Sequence, residues 1–272
     1  GRNANRIGGA VIEINGKEYH LTKNDGENNL HSGLDFYHGR LWKVADADDT
    51  HVTFEMDSPD GDQGYPGALV MKVTYSLDEE NTLMIHYEAE PDQDTIINMT
   101  NHSYFNLNGH KSGDVLNHTL WLNADAFTPA DVASIPTGEI RSVEGTPMDF
   151  RTDKTIGRDI EADYEPLIFG KGYDHNWVLK NEGEFDKVAE VAGDESGIHM
   201  SVLTDLPGVQ IYTANFLDGV KGRDGAVYEM RDAICLETQY YPDAIHHENF
   251  PGPICKKGEK YDTRTAYRFR VK

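Results

Sequence analysis

A short run near the middle of the chain places chemically active side chains at regular spacing. Residues 98–107 read NMTNHSYFNL. If the run is a β-strand, its side chains alternate between two faces. Met99 and Phe105 lie on a core face, and the polar face holds Thr100, His102, Tyr104 and Asn106. An imidazole and a phenol beside hydroxyl and amide groups suit a surface that binds a sugar. These ten residues alone nevertheless favour the plainer alternative, a buried histidine in a hydrogen-bonded strand.

A glutamate near the carboxyl end of the chain lies in a similar pattern. Residues 234–239 read ICLETQ, a short β-type run in which Glu237 shares a face with Cys235 and Gln239. Because the run is mostly apolar, an ionised side chain inside it is costly unless it is paired or functional. The structural alternative is a glutamate on an edge strand that points to water.

These two runs belong to a longer series that resembles the aldose 1-epimerases, the galactose mutarotase family. In addition to residues 98–107, six blocks resemble that family in the same order: GRNANRI (1–7), NNLHSG (28–33), GYPGALVMKVTYSL (64–77), GYDHNWVL (172–179), PGVQIYTANFL (207–217) and ICLETQYYPDA (234–244), which contains the Glu237 run. Any one block is a weak signal, but their order along nearly all of the chain is a strong one. The resemblance implies a large all-β sandwich of antiparallel sheets.

The resemblance also implies roles for individual residues. Glu237 matches the base that removes the proton from the anomeric hydroxyl, and His102 matches the acid that protonates the ring oxygen. The matching substrate-binding residues are Asn5, Arg6, His31, Asp174 and Gln210. From residue type alone, Tyr104 is suited to cover an apolar sugar face. Without the resemblance, Asp174 would be interpreted as a turn aspartate, Gln210 as an exposed strand residue, and Arg6 and His31 as surface features.

Opening a hemiacetal requires a base at one oxygen and an acid at the other, so one carboxylate and one imidazole suffice. We therefore expect no cofactor. The chain has only two cysteines, Cys235 and Cys255, which are too few for a disulfide framework or a zinc site, and we expect no metal. This cysteine content fits a reducing compartment, and we expect a cytoplasmic protein.

Charge narrows the class of partner. The formal net charge is -22, from 47 acidic and 25 basic residues, which argues against nucleic acid or an anionic membrane surface as a partner. A small neutral sugar is compatible with it. The acidic residues are scattered in loops, so their simplest role is to solvate the surface. The oligomeric state cannot be predicted from these patterns.

The chain as a whole predicts an all-β fold in a single domain, residues 1–272, with few or no long helices. Strands are predicted from Val11 to Ile14 and from Lys17 to Leu21, joined by Asn15-Gly16, a dipeptide typical of a tight hairpin turn. Further strands follow at 41–44, 52–56, 68–77, 82–90, 118–123, 176–180, 188–191, 199–204, 209–216, 233–239 and 267–271. The family carries several strands before the block that opens this chain, so we expect either that this chain is a trimmed piece or that those first strands are absent.

One further departure from the family and two alternative functions remain to be weighed. Residues 31–33 read His-Ser-Gly where the family more often has His-Gly-Gly, a change we expect to be tolerated. A non-catalytic carbohydrate-binding sandwich would keep the pocket residues, but the presence of both His102 and Glu237 favours an enzyme. A hexose-6-phosphate 1-epimerase would need several basic residues for the phosphate, and Arg6 is the only one that we place in the pocket. We therefore predict a mutarotase for a neutral hexose such as galactose or glucose.

Overall fold

The computed structural model describes all of residues 1–272. It has one short α-helix, α1 (Glu165–Gly170), and 3₁₀ turns at Gly8–Ala10, Tyr37–Gly39, Asp62–Gly64, Ile156–Arg158, Arg223–Gly225 and Ala244–His246. The strands are β1 (Arg6–Ile7), β2 (Val11–Ile14), β3 (Lys17–His20), β4 (Asn29–Leu30), β5 (Lys43–Ala47), β6 (His51–Ser58), β7 (Leu69–Leu77), β8 (Thr82–Pro91), β9 (Thr95–Ile96), β10 (Thr119–Leu122), β11 (Ala124–Thr128), β12 (Arg141–Ser142), β13 (Lys154–Thr155), β14 (Asp174–Leu179), β15 (Asp186–Ala192), β16 (Ile198–Thr204), β17 (Gly208–Tyr212), β18 (Val220–Lys221), β19 (Val227–Tyr228), β20 (Cys235–Gln239), β21 (Ile254–Cys255) and β22 (Tyr261–Val271).

The chain forms two compact units. The first comprises residues 1–100 and 239–266, and the second comprises residues 101–238 and 267–272. The expectation of a single domain over residues 1–272 stays a prediction.

In the first unit, strands β5 to β8 form an antiparallel meander in sequence order. Burial alternates along β7, where Leu69, Met71 and Val73 are buried and Val70 is exposed, as expected for a strand with one face on a core. The predicted hairpin is also present: β2 pairs with β3, and both Asn15 (φ 54°) and Gly16 (φ 74°) have the positive φ that its turn requires. Near this hairpin lies an apolar cluster of Ile7, Ala10, Ile12, Ile14, Leu21, Tyr65 and Ile96.

In the second unit, a sheet has the strand order β12-β11-β14-β17-β20, and β13, β10, β15 and β16 pair in that order. One face of the five-stranded sheet carries a buried aromatic core. The rings of Phe127, Phe150, Tyr173 and Trp177 pack with centroid separations of 5.1–6.3 Å. The indole of Trp177 donates to the Met148 carbonyl (3.1 Å), so its polar atom is satisfied inside this core.

The all-β expectation is confirmed. Most predicted strands are present with ends that differ by a few residues, although β17 stops at Tyr212 and β22 begins earlier than expected, at Tyr261. No helix in the structure combines the length and the apolar character needed to cross a lipid bilayer.

The prediction of a strand at residues 98–107 is wrong. Asn98 forms a single parallel bridge with Asn3, and Phe105 forms a single antiparallel bridge with Ile234. Between these bridges the segment is irregular. Local alternation was present in the sequence, but no continuous partner strand runs beside the segment. It therefore forms a loop in which His102, Ser103 and Tyr104 are exposed.

Candidate active site

The polar face of the five-stranded sheet holds the chemically active side chains of the second unit. In β14, Asp174 lies directly opposite Tyr212 of β17, and Asn176 lies opposite Gln210. Paired residues share a face, so all four side chains lie on the side of the sheet away from Trp177 and its core. Glu237 belongs to the neighbouring strand β20.

Glu237 is the buried carboxylate that the sequence pattern indicated. It is only 2% exposed, and its Oε1 lies 3.4 Å from Nε2 of His102. The His102 side chain is 36% exposed. The structure thus pairs a buried carboxylate with a solvent-accessible imidazole, the arrangement required of a base and an acid that act on one substrate.

The loop that carries His102 is fastened to β20 by hydrogen bonds on both sides of the imidazole. Phe105 and Ile234, the residue before β20, exchange two backbone hydrogen bonds of 2.9 Å. On the other side of His102, the Asn101 amide donates to the Tyr267 hydroxyl (2.9 Å), which donates to the Leu236 carbonyl (3.1 Å). These bonds explain how a residue in an irregular segment keeps a fixed position beside Glu237.

Aromatic rings surround the imidazole. His102 stacks on Tyr104 with centroids 5.1 Å apart and an interplanar angle of 20°, and Tyr212 meets both rings edge-on at 5.9 Å and 6.3 Å. Burial raises the pKa of Tyr212 to about 12 and raises that of Tyr104 above its ordinary value. Both phenols therefore stay protonated at neutral pH and can donate hydrogen bonds.

Asp174 and Gln210 form a polar pair next to this group. The Gln210 amide donates to Oδ1 of Asp174 (2.7 Å), which leaves the other carboxylate oxygen available as an acceptor. The structure places Asp174 as the first residue of β14, and not in the turn before the strand where the sequence had placed it. A strand position fixes the carboxylate more firmly than a turn does.

The remaining predicted residues lie together in the first unit. Asn5 donates its backbone N–H to Nδ1 of His31 (3.1 Å), and His31 returns its own N–H to the Asn5 carbonyl (3.0 Å). Both have left-handed backbones, with φ of 58° and 49°. Arg6 donates through Nε to Asp25 (2.7 Å). The structure brings these three residues together, and their contribution to one substrate site with Glu237 stays a prediction.

Two residues of the polar face were not singled out from the sequence as site residues. Tyr212 lies in a strand that was predicted, but nothing in the local pattern indicated that its ring would face an imidazole. Cys235 shares the Glu237 face of β20, as the alternation showed. Burial, together with the nearby Glu237 and Asp174 carboxylates, raises the pKa of Cys235 well above its usual value, so it remains a neutral thiol.

A family model described as Aldose 1-epimerase matches residues 1–268. The chain belongs to the aldose 1-epimerase family. The chain is 43% identical to galactose mutarotase from Bos taurus over 272 residues, which span 100% of this chain and 78% of that protein. It is 38% identical to aldose 1-epimerase from Escherichia coli K12, with 99% of this chain and 78% of that protein covered.

A solved structure supports the same assignment. The aldose epimerase homologue from C. elegans superposes with a TM-score of 0.91 at 31% identity, over 100% of this chain and 81% of that one. The predicted fold class, a large antiparallel β-sandwich of the galactose mutarotase type, is thereby confirmed. The predicted enzyme class is confirmed as well: this aldose 1-epimerase family member is a carbohydrate isomerase with mutarotase function.

Proposed function

We propose that this protein interconverts the α and β anomers of a neutral hexose such as galactose or glucose, by acid-base opening and reclosure of the ring. The observation that carries the proposal is the 3.4 Å approach of Glu237 Oε1 to His102 Nε2, between a buried carboxylate and a half-exposed imidazole. A sugar that lies against both groups, with its anomeric hydroxyl at Glu237 and its ring oxygen at His102, meets a proton acceptor and a proton donor at once.

The reaction balances without a further reactant. Glu237 removes the proton from the anomeric hydroxyl while protonated His102 gives its proton to the ring oxygen. The C1–O5 bond breaks, the electron pair goes to O5, and the free aldehyde forms. Rotation about the C1–C2 bond presents the other carbonyl face, and the two residues exchange roles as the ring closes. No cofactor and no metal are needed for these steps.

Substrate binding falls to groups that accept from and donate to hydroxyls. In this proposal, Asp174 and Gln210 hold ring hydroxyls from the polar face of the sheet, and Tyr104 covers an apolar sugar face. We also assign Asn5, Arg6 and His31 to substrate binding, as the family resemblance implies. The proposed partner is thus a small sugar, with no nucleic acid or membrane involved, and we propose a cytoplasmic location.

The chemistry of the residues ranks the alternatives. A carbohydrate-binding module needs no acid-base pair, so the 3.4 Å approach of the Glu237 carboxylate to the His102 imidazole favours the enzyme. A hexose-6-phosphate epimerase needs a cluster of cations for the phosphate, whereas the proposed substrate-binding residues include one arginine, Arg6, which is already paired with Asp25.

Glu237→Gln tests the proposal because it keeps the size of the side chain and removes the proton acceptor. We expect mutarotation of α-glucose and α-galactose, followed by polarimetry, to fall by roughly 10²–10⁴-fold, the usual contribution of general acid-base catalysis. Sugar binding, measured by calorimetry, should change little.

Glu144→Gln is the matched control, because its side chain is 79% exposed and should be silent. A Glu237→Gln variant that turns over both sugars at the parental rate would show that Glu237 is not the base. Sugar binding without catalysis by the parent protein would support the binding module, and a preference for glucose 6-phosphate would support the phosphate-sugar alternative.

A further inference from the structure

The backbone that leads into Asp174 makes an unusual turn. Helix α1 ends where the Gly172 N–H donates to the Leu167 carbonyl (2.8 Å) and the Lys171 N–H to the Ile168 carbonyl (3.4 Å), the two hydrogen bonds of a Schellman turn. Lys171 and Gly172 have φ of 54° and 124°. The chain therefore reverses within two residues and then enters β14.

Three carbonyls of this turn are held by side chains from elsewhere in the second unit. The Asn215 amide donates to the carbonyls of Gly170 (2.6 Å) and Tyr173 (3.0 Å). Nη2 of Arg231 donates to the carbonyl of Lys171 (2.6 Å). These bonds fix the backbone on both sides of Gly172, which lies two residues before Asp174.

Arg231 also organises the groups that assist it. Its Nη1 donates to Oδ1 of Asn215 and to the hydroxyl of Thr213 (3.3 Å), while the same hydroxyl donates to the Tyr173 carbonyl (3.1 Å). The arginine is only 6% exposed. Its one nearby carboxylate, Glu161 at 3.4 Å, has a side chain that is 83% exposed.

A guanidinium suits this position for a geometric reason. It has a planar set of five N–H donors, and here they reach a backbone carbonyl, an amide oxygen and a hydroxyl in different directions. A lysine carries a single nitrogen and cannot span the same three acceptors. Most of the binding is to neutral acceptors, so the role of Arg231 is to hold the backbone in place.

Gly172 completes the arrangement. A Cβ at this position would lie 2.5 Å from Nη1 of Arg231, and its φ of 124° is one that other residues rarely adopt. The guanidinium thus packs directly against the glycine backbone, and each residue requires the other.

We propose that Arg231 is a positioning residue for the sugar-binding carboxylate of Asp174, acting through the backbone of residues 170–173. The inference rests on the proposed function, since Asp174 has this role only in a protein that binds a sugar. It adds a group that does not touch substrate but determines where a substrate contact lies.

Arg231→Lys tests the inference in a double-mutant cycle with Asp174→Asn. We expect Arg231→Lys to lower kcat/KM for galactose by roughly ten- to a hundredfold, mainly through a higher KM, because a displacement of about 1 Å can cost about 10²-fold. In the Asp174→Asn background the same substitution should cost less than about threefold, since the carboxylate it positions is already gone.

Losses that multiply in the double variant would overturn the inference and indicate a general structural role. Arg151→Lys is the control, because its partly exposed side chain binds Asp149 outside this network, and it should leave kcat/KM unchanged. If Arg231→Lys does not fold, Gly172→Ala displaces the same turn from the other side and takes its place in the cycle.

A crystal structure of the Arg231→Lys variant separates failure of the inference from failure of the proposed function. A shift of Asp174 and residues 170–173 by about 1 Å supports positioning, and unchanged coordinates overturn it, whether or not the parent protein catalyses mutarotation. An inactive parent protein would instead reject the proposed function alone.

Discussion

Acidification should destabilise this protein through a histidine that lies directly after Asp174. His175 is only 3% exposed, and its Nδ1 accepts the backbone N–H of Asp174 (3.1 Å). The imidazole also meets the rings of Phe127 and Trp177 edge-on, at 6.1 Å and 6.4 Å. Burial lowers the pKa of His175 from 6.5 to about 4, although the nearby Asp174 carboxylate opposes this shift.

The sign of the effect follows from which state binds the proton. Between pH 6.5 and about pH 4 the unfolded chain protonates His175 and the folded chain does not, so protons favour unfolding. The contribution of neutral His175 to the stability of the folded state is complete above pH 6.5 and is lost as the pH falls towards 4. The difference between the two pKa values corresponds to about 3 kcal/mol in the free energy of unfolding, at about 1.4 kcal/mol for each pH unit.

Urea unfolding between about pH 7.5 and about pH 4.5 measures this effect when the parent protein is compared with His175→Asn. Asparagine keeps an acceptor for the Asp174 N–H but does not titrate. At neutral pH the variant should have a lower free energy of unfolding than the parent. In acid the parent should lose most of the roughly 3 kcal/mol and so approach the variant. Other carboxylates titrate in both proteins and cancel in the comparison. Parallel pH profiles would refute the argument.

Substitutions at two further positions, Ser32 and Gly16, test local backbone geometry. Ser32→Ala should lower the free energy of unfolding by about 2 kcal/mol, because the Ser32 hydroxyl accepts the Asn3 N–H (2.7 Å) and donates to the Asn3 carbonyl (3.1 Å). Ser32→Gly should lower the free energy of unfolding by up to about 1 kcal/mol less, because glycine tolerates the φ of 73° at this position. Equal losses for the two variants in urea unfolding would contradict this prediction. Gly16→Ala should cost about 1 kcal/mol from φ alone, because its Cβ meets no atom within 4 Å, and an unchanged melting temperature would show that the hairpin turn adapts.

Strands whose information is local could be predicted from the sequence. The Asn15-Gly16 hairpin follows from two residues that tolerate positive φ, and β7 follows from the alternation of its apolar side chains. The same rule failed at residues 98–107, where alternation is present but the hydrogen-bonding partners are single residues. Period-two patterning reports which side chains could share a face, and a strand also needs a neighbouring strand along its length.

The pairing of His102 with Glu237 shows where local information ends. Each residue could be identified as a candidate from its own run, and only the family resemblance connected the two. In the structure the connection is made by Phe105 and Ile234, which exchange backbone hydrogen bonds, and by the hydroxyl of Tyr267. Backbone bridges depend little on side-chain type, so they can hardly be predicted from the sequence.

The residues that hold Asp174 are similarly hidden, for a different reason. In sequence, Arg231, Asn215 and Thr213 are polar residues of a type usually found at the surface. Only the structure shows that they are buried and that they donate hydrogen bonds to the turn before β14. A buried guanidinium with mainly neutral acceptors is expensive to desolvate. This cost is understandable if the guanidinium holds the proposed substrate-binding carboxylate of Asp174 in a precise position. Gly172 is constrained for a separate, steric reason, because a side chain there would displace the guanidinium that fixes the turn.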